Sequence, residues 1–550
     1  MSFIHELLKN QRHDDLWNMC CGFLDLDVRE FMLIQKNLLL EQIELLKKCH
    51  MGQKLLRGAR PTTVAEFRSQ VPLTSYKDYC PELLEKREDV LPAKPVRWIQ
   101  TSGRAGEYPF KWVPVSSRFW DEAGVVFSAI AILSSCRYRG DIVLKDKMKL
   151  LHAASQPPTL TGAVAHRLAE DIGFRYLPSL EVSEELSFED KVQMGFNQAL
   201  SQGMDGFFGL AGVLVAIGKK FQEGSNNGHR EELLRQPMAL FRLGRGALRG
   251  RSQGRNILPR DIWKLKVITS MGTDCAVFRD KIELLWGRKP LNVYGNTESC
   301  VIATQTWDYQ DMVFFPNLNF LEFIPEEEYI RSGEDRGYQP KTLLLDEVRP
   351  GKNYELVITS FHGGIMVRYR LGEIVRITSL SNDKLGINLP QMEVEGRADD
   401  LIDLGFMRLN ERVIWEALEN TGIPYKEWTA HKEFHDVPRL KLYIELSPGY
   451  YTSSQDIADR VYQAIKQLKD GLYVYRDIQS IERLIDFKPI EVSILPSGVF
   501  SAYKKVQQGT GALIGDWKPP HINPTRRDLT LLEAETAPEP LAEAETSPLE

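Results

Sequence analysis

The chain lacks a paired-cysteine framework. Its seven cysteines (Cys20, Cys21, Cys49, Cys80, Cys136, Cys275 and Cys300) are odd in number and scattered, and none forms a C-x-x-C pair. That excludes a disulfide scaffold or a zinc knuckle and predicts a reducing, cytoplasmic setting. A long apolar run is also missing. The nearest, Gly206 to Gly218 (GFFGLAGVLVAIG), is too short and too glycine-rich to span a bilayer and reads as buried core or pocket wall. The N-terminus, MSFIHELLKNQRHDDLW, lacks the basic-then-apolar layout of a signal peptide. No G-x-x-x-x-G-K-[ST] loop occurs, so a Walker-type nucleotide site is excluded. Nor is there a net positive field. The formal charge is −6, six glutamates lie in Leu531 to Glu550, and without them the chain is close to neutral. This excludes a globally basic nucleic-acid binder. The arginine-rich stretch Arg235 to Arg260 has only Phe241 as an interleaved aromatic and reads as a solvated helix and loop.

What is present is an ordinary globular composition, 43% apolar and 26% charged, in a chain of 550 residues. That length exceeds what one core supports, so two or more domains are expected. Residues 1 to 60 place Leu24, Phe31, Ile34, Leu38, Ile43 and Leu46 at roughly helical spacing and predict a helical hairpin packed on a main domain. Thr63 is a candidate N-cap. Residues 117 to 220 alternate helical and short apolar segments, as an α/β domain does. Segments 314–325, 354–360 and 366–376 are β-rich and predict a distorted barrel or sheet that closes this domain. Residues 413 to 486 read as a small α/β domain. The Ala/Pro/Thr-rich acidic tail from 527 to 550 has little to bury and is expected to be disordered.

Several polar loops fall where strands end. Trp98 to Gln100 runs into Thr101-Ser102-Gly103-Arg104-Ala105, with Lys111 further on. Backbone N–H groups and hydroxyls in such a loop can face phosphate oxygens, although a plain β-hairpin is the better reading of the segment taken alone. LKVITS (265–270) reads as a buried strand opening onto Met271, Gly272 and Thr273. A helix and a second strand follow, ending in Tyr294-Gly295-Asn296-Thr297-Glu298-Ser299. Doubly wound sheets bind ligands at such carboxyl ends. Glu373 follows a glycine turn. VEGRADDLIDLGFMRLNE (394–411) places a charged turn, with Arg397 and Asp399, between the large unit and the small one. In it Glu411 lies in the first turn of a predicted helix.

Taken in order, these motifs resemble an acyl acid amido synthetase of the Gretchen Hagen 3 type, an auxin/jasmonate-responsive branch of the adenylate-forming superfamily. The resemblance runs from about Trp17 to Pro519 and rests on WNMCCGFLDLDVREF, VPLTSYKDY, YGNTES, FFPNLNFLEFIP, YELVITS with VRYRLGEIV, GRADDLIDLG and the late Lys518. It implies an α/β fold: an N-terminal adenylation domain over 1–396 and a small mobile α+β domain over 397–526. It implies an ATP- and Mg2+-dependent ligase that joins a small carboxylic acid to an amine or amino acid through acyl-AMP, acting as a cytoplasmic monomer. Thr101, Ser102 and Gly103 would bind phosphate. Met271, Gly272, Thr273, Tyr294, Gly295, Asn296 and Thr297 would line the nucleotide, and Glu373 would hold ribose. Glu298 would take the metal and Arg397 would touch the nucleotide. Asp399 would be the hinge, and Lys518 would serve adenylation.

The sequence departs from the family pattern in three places. Arg104-Ala105 replaces a hydroxyl pair, Glu373 stands for the usual aspartate, and the spacing to Lys111 differs. Two other readings remain: a ligase ending in a thioester on coenzyme A or a carrier protein, and a nucleotide- or acyl-binding homologue without turnover. His152 and His362 are candidate bases for the second step, and Phe207, Phe208 and Leu210 are candidate pocket walls.

Overall fold

The computed structural model describes residues 2–101, 111–222, 237–271, 275–334, 337–397, 402–404, 407–409, 411–434, 438–468, 489–508, 521–524 and 526–534. Packing divides the chain into two compact units. The first holds the described residues up to 397 and the second those from 402 onward.

The first unit is built on an 11-stranded mixed sheet and a separate hairpin. The hairpin pairs β1 (Pro95–Gln100) with β2 (Trp112–Ser116). The large sheet contains β3 (Lys149–Ala153), β4 (Arg175–Leu177), β5 (Gly206–Leu210), β6 (Val267–Met271) and β7 (Leu291–Tyr294). It continues through β8 (Ala303–Thr304), β9 (Met312–Phe314), β10 (Asn319–Pro325), β11 (Lys352–Ser360), β12 (Tyr369–Ser379) and β13 (Gln391–Arg397). The order is β10-β11-β12-β13-β9-β8-β7-β6-β5-β3-β4. Pairing is parallel from β4 through β7 and antiparallel from β7 through β10. Helices connect the parallel strands, as that pairing requires. The β-rich segments expected to close the domain form the antiparallel half of this same sheet.

The N-terminal region is richer than a hairpin. Helices Phe3–Lys9, His13–Cys21, Val28–Leu46 and His50–Leu56 succeed one another. Asp27 and Glu30 form a capping box that starts the longest of them. Its inward stripe is Phe31, Gln35, Leu39, Gln42, Ile43 and Leu46, with Ile34 and Leu38 on the flanks. The two buried glutamines explain the shift. Gln35 donates to Pro316 O (2.6 Å) and Asn319 O (2.7 Å) and accepts from Leu321 N (2.9 Å). The helix thereby covers part of the outer edge of β10, whose backbone groups would otherwise be bare. Gln42 does the same for Gly363 N and Gly364 O, both at 2.8 Å. Thr63 caps helix Val64–Gln70 through Glu66 N, as expected.

The second unit contains the short pair β14 (Ile402–Asp403) and β15 (Arg408–Leu409). It also contains a three-stranded sheet of β16 (Tyr425–Phe434), β17 (Pro438–Leu446) and β18 (Ile490–Leu495). Helices Glu411–Thr421 and Ser454–Gln467 accompany the sheet. The buried carboxylate of Glu445 accepts from Gly498 N (2.7 Å) and Phe500 N (3.2 Å), at the start of helix Val499–Gln508. A carboxylate is favoured there by the helix dipole. The tail expected to be disordered from 527 begins with order. Helix Arg526–Ala534 buries Leu532 against Val499, Phe500 and Tyr503, and Tyr503 donates to Asp528 at 2.6 Å. Those apolar contacts give the segment something to bury. Among the described residues, no helix is long and apolar enough to cross a membrane.

Candidate functional site

Three strand ends of the first unit meet around Glu298. The loop after β7 carries Glu298, the first residue of β12 is Tyr369, and Lys111 sits just before β2. Lys111 Nζ lies 2.8 Å from Glu298 Oε1 and donates to Tyr369 Oη at 2.9 Å, and Tyr369 Oη donates to Glu298 Oε1 at 3.1 Å. Burial opposes the Glu298 charge, but the Lys111 ammonium and the Tyr369 hydroxyl outweigh it and hold the carboxyl below its ordinary value. Burial, and then the Glu298 charge, push the Tyr369 phenol well above its ordinary value, so it stays a hydrogen-bond donor.

Lys111 is positioned from both sides. Its backbone exchanges hydrogen bonds with Thr101: Thr101 N donates to Lys111 O and Lys111 N donates to Thr101 Oγ1, each at 3.0 Å. Its ammonium lies 5.6 Å from the ring centres of both Tyr76 and Tyr369. Tyr76 in turn accepts from Trp112 N at 2.7 Å.

Next to this cluster, the Tyr294 hydroxyl donates to Glu373. Gly372, at φ +67°, lies in a bulge where the β11–β12 register slips, and Glu373 follows it. Arg397 pairs with Glu373 across β12 and β13, so its backbone flanks the same place. Gly295 is there for close approach, since a Cβ would come within 2.1 Å of Cys300 O. Asn296 Oδ1 accepts from Ser299 N at 2.9 Å and ties the loop into a turn.

The sequence-predicted residues Thr101, Tyr294, Gly295, Asn296, Thr297, Glu298, Glu373 and Arg397 thus belong to neighbouring strands and loops of one unit. Met271 ends β6, beside β7. Ser102, Gly103, Gly272, Thr273, Asp399 and Lys518 lie outside the described residues. Tyr369, within VRYRLGEIV, is a residue of the cluster that sequence reasoning misses. Its signal was the Arg-Tyr-Arg alternation at the start of a strand, which turns the tyrosine away from its two neighbours.

Beside Gly295 the sheet and two helices enclose an apolar cavity of about 60 Å3. Phe127 of helix Ser117–Ser135, Leu160 and Val164 of helix Leu160–Asp171, Phe208 of β5 and Thr269 of β6 line it. Phe208 is therefore a wall residue, whereas Phe207 and Leu210 are not among the lining side chains. The two histidines considered as bases are set into the core. His362 bonds Asn317 O through Nε2 at 2.6 Å, and its own carbonyl accepts from Ser116 Oγ. His152 is buried under the sheet-covering helices.

A single hard carboxylate fits magnesium only as part of a shared site. Among the described residues no group of three or more His, Cys, Asp or Glu comes together. Glu298 with nucleotide phosphates and water meets what Mg2+ asks of a protein, because that ion keeps several waters and binds through one or two carboxylates plus phosphate. The half-buried Glu373 and the tight Gly295 turn fit a nucleotide beside it.

The fold is that of the adenylate-forming enzymes. It superposes on the structure of "AtGH3.15 acyl acid amido synthetase in complex with 2,4-DB" with a TM-score of 0.51 at 16% identity, covering 94% of this chain and 95% of that one. A 2-hydroxyisobutyryl-CoA ligase matches with a TM-score of 0.50 at 13% identity, covering 96% of this chain and 92% of that one. The GH3 family N-terminal domain matches residues 21–200 and the GH3 family central domain residues 312–397. Curated relatives include a probable indole-3-acetic acid-amido synthetase, GH3.11, of Oryza sativa subsp. japonica, 26% identical over 233 residues (40% of this chain). Another is the 4-substituted benzoates-glutamate ligase GH3.12 of Arabidopsis thaliana, 23% identical over 235 residues (40% of this chain). The matched stretch spans 38% of the length of each of these two relatives.

Proposed function

We propose that this protein is an ATP-dependent acyl acid amido synthetase. The observation that carries the reading is the Glu298–Lys111–Tyr369 cluster, set beside Tyr294–Glu373 at the strand ends of a GH3-family sheet. A carboxylate is a poor electrophile. In the first step its oxygen attacks the α-phosphate of ATP, pyrophosphate leaves, and a mixed acyl-phosphate anhydride remains. In the second, an amine attacks the acyl carbon and AMP departs.

The first step brings two anions together, so positive charge is required around the transferring phosphoryl group. Lys111 is near enough to share its ammonium between Glu298 and that group, and Lys518 of a mobile domain over 397–526 supplies a second. Magnesium, held by Glu298, would supply further charge neutralisation when bound. Tyr369 keeps Glu298 oriented. Glu373 receives the ribose hydroxyls, Tyr294 and the 295–297 turn line the nucleotide with Met271, Gly272 and Thr273, and Thr101 to Gly103 meet phosphate. Arg397 touches the nucleotide and Asp399 serves as the hinge between the two steps. The apolar cavity beside Gly295 receives the acyl group. The setting is the cytoplasm and the acting form a monomer, in keeping with free thiols at Cys20, Cys21, Cys49, Cys80, Cys136 and Cys300.

The test is ATP–pyrophosphate exchange against a panel of aryl, indole and fatty acids, followed by product analysis with amino acids and with coenzyme A. Exchange with amide product is the expected result. Exchange that yields only a thioester would replace the amide assignment with a coenzyme A ligase. A protein that binds ATP without exchanging pyrophosphate for any acid would be a binding homologue.

A further inference from the structure

Behind the apolar cavity lies a buried cluster that the proposed reaction does not use. His152 on β3, Phe208 on β5 and Thr269 on β6 stand side by side in one row of the parallel sheet. Tyr176 on β4 pairs with Leu150, two residues before His152, and so lies on the same face. Phe208 is a cavity wall residue. Its ring lies 6.4 Å from the His152 ring, nearly parallel at 20°, and 6.1 Å from Tyr176, while the His152 and Tyr176 rings are 5.2 Å apart.

His152 is 2% exposed and Tyr176 5%, yet neither imidazole nitrogen nor the phenol oxygen has a hydrogen-bond partner. Three unmatched polar atoms in one buried cluster call for an explanation, because burying such groups unpaired is costly. Burial, and after it the Lys191 and His166 charges, push the imidazole down to about 3, so it is neutral at working pH. Lys191 itself donates to Ala154 O at 2.5 Å. A neutral imidazole offers one donor and one acceptor, and the phenol adds one of each. An uncharged hydroxyl or carbonyl satisfies that set. A second carboxylate would have to be buried against a neutral ring.

We propose that the acyl site continues past Phe208, and that the acid it takes carries an uncharged hydroxyl or carbonyl at the end remote from its carboxylate, hydrogen-bonded to His152 and Tyr176. This rests on the acid-activating reading above. Phe208 is then the specificity-determining partition: its ring separates the apolar cavity from the polar end, and it turns aside for an acid long enough to reach them.

Isothermal titration of the full chain with matched acids tests this, using octanoic against 8-hydroxyoctanoic acid and 3-phenylpropanoic against 3-(4-hydroxyphenyl)propanoic acid. In at least one pair the hydroxylated acid is expected to bind about tenfold tighter, because a site built around a hydroxyl discriminates against its absence. Tyr176→Phe keeps the ring and its packing and is expected to bring that ratio to within about threefold of unity. Equal or weaker binding of the hydroxylated acids, binding of neither member, or a preference that survives Tyr176→Phe overturns the proposal. Pyrophosphate exchange with the same acids is read separately. Preferential binding without exchange removes the enzymatic reading and leaves the polar end standing, whereas exchange without preference does the reverse.

Discussion

Two of the carboxylates that the first unit buries on the antiparallel side of its sheet, Glu322 and Glu298, are held in opposite ways. Glu322, wholly buried, accepts from Arg368 Nε (3.0 Å), Arg368 Nη2 (2.8 Å) and Thr342 Oγ1 (2.6 Å). Arg368 spends its remaining donors on Arg68 O (2.7 Å), Val71 O (2.6 Å) and Thr342 Oγ1 (3.1 Å), so each of its five N–H groups has an acceptor. Arg368 also adopts φ +42°, a conformation that a side-chain-bearing residue keeps only when its surroundings fix it. Glu298, by contrast, is gripped through one oxygen by a lysine and a tyrosine hydroxyl. A guanidinium fork saturates its carboxylate, whereas an ammonium on a four-carbon stem is a point charge that can be re-aimed. One partner of each carboxylate comes from the same stretch of chain: Arg368, which binds Glu322, and Tyr369, which binds Glu298, are consecutive. The saturated pair builds the unit, and the unsaturated one is the pair to which the proposed function assigns chemistry.

The sharpest way to break this contrast is to truncate each partner and ask which property falls. Arg368→Ala leaves Glu322 buried with only Arg68, whose Nε lies 3.9 Å away, as a cation and is expected to cost about 3–5 kcal/mol of stability, measured by urea unfolding. Arg368→Lys is expected to recover only part of this, since it cannot make the fork. Stability within about 1 kcal/mol of the parent would show that the network is dispensable. Glu298→Gln is expected to give the reverse outcome, a melting point close to the parent and an exchange rate about 100-fold lower. If its stability falls as far as that of Arg368→Ala, the two carboxylates are alike and the distinction is wrong.

The positions of Tyr294 and Glu298 were legible because a strand ends there in a turn, and that of Glu373 because a glycine bulge precedes it inside β12; such bends leave a local signature of glycine and polar residues. The sequence also carried Thr63 as a cap, and the strand before Thr101, for the same reason. What it could not carry were partners distant along the chain. Gln35 and Gln42 read as polar interruptions of a helical stripe, yet they bind backbone more than 280 residues away. Lys111 reads as a loop lysine whose spacing departs from the family pattern, and only the sheet order brings it 2.8 Å from Glu298. Arg368 offered no local cue at all. The tail misled for a different reason. Its composition as a whole has little to bury, but Leu529 and Leu532 at helical spacing were enough to dock its first turns.

A smaller effect sharpens the Glu298 side of the comparison. Tyr369→Phe deletes one donor and keeps the ring that packs edge-on against Tyr79 at 5.9 Å. The lysine remains, so exchange is expected to fall only about tenfold, with the loss in turnover rather than in the KM for ATP. A loss as large as that of Glu298→Gln would mean that the hydroxyl, rather than the ammonium, holds the carboxylate.

The smallest expected effect lies in the second unit, where the charges are reversed and one cation serves two anions. His521 is buried with Nδ1 2.7 Å from Glu411 and Nε2 2.7 Å from Glu427, and its ring stacks on Trp428 with centres 4.4 Å apart while Trp415 meets it edge-on. Burial opposes the imidazolium, but the two carboxylates prevail and raise its pKa above the ordinary 6.5. A raised folded-state pKa stabilises the fold fully at pH below the unfolded value, and the contribution fades as pH rises through the folded value. His521→Gln is therefore expected to cost about 1 kcal/mol near pH 5.5, because Glu411 is half exposed and the pair is partly screened. The gap between variant and parent in urea midpoint should narrow as pH climbs above 6.5. If it stays constant from pH 5.5 to 9, the ring is held by stacking and neutral hydrogen bonds. The carboxylate pair would then resemble the saturated Glu322 network rather than the charge-balanced Glu298 cluster.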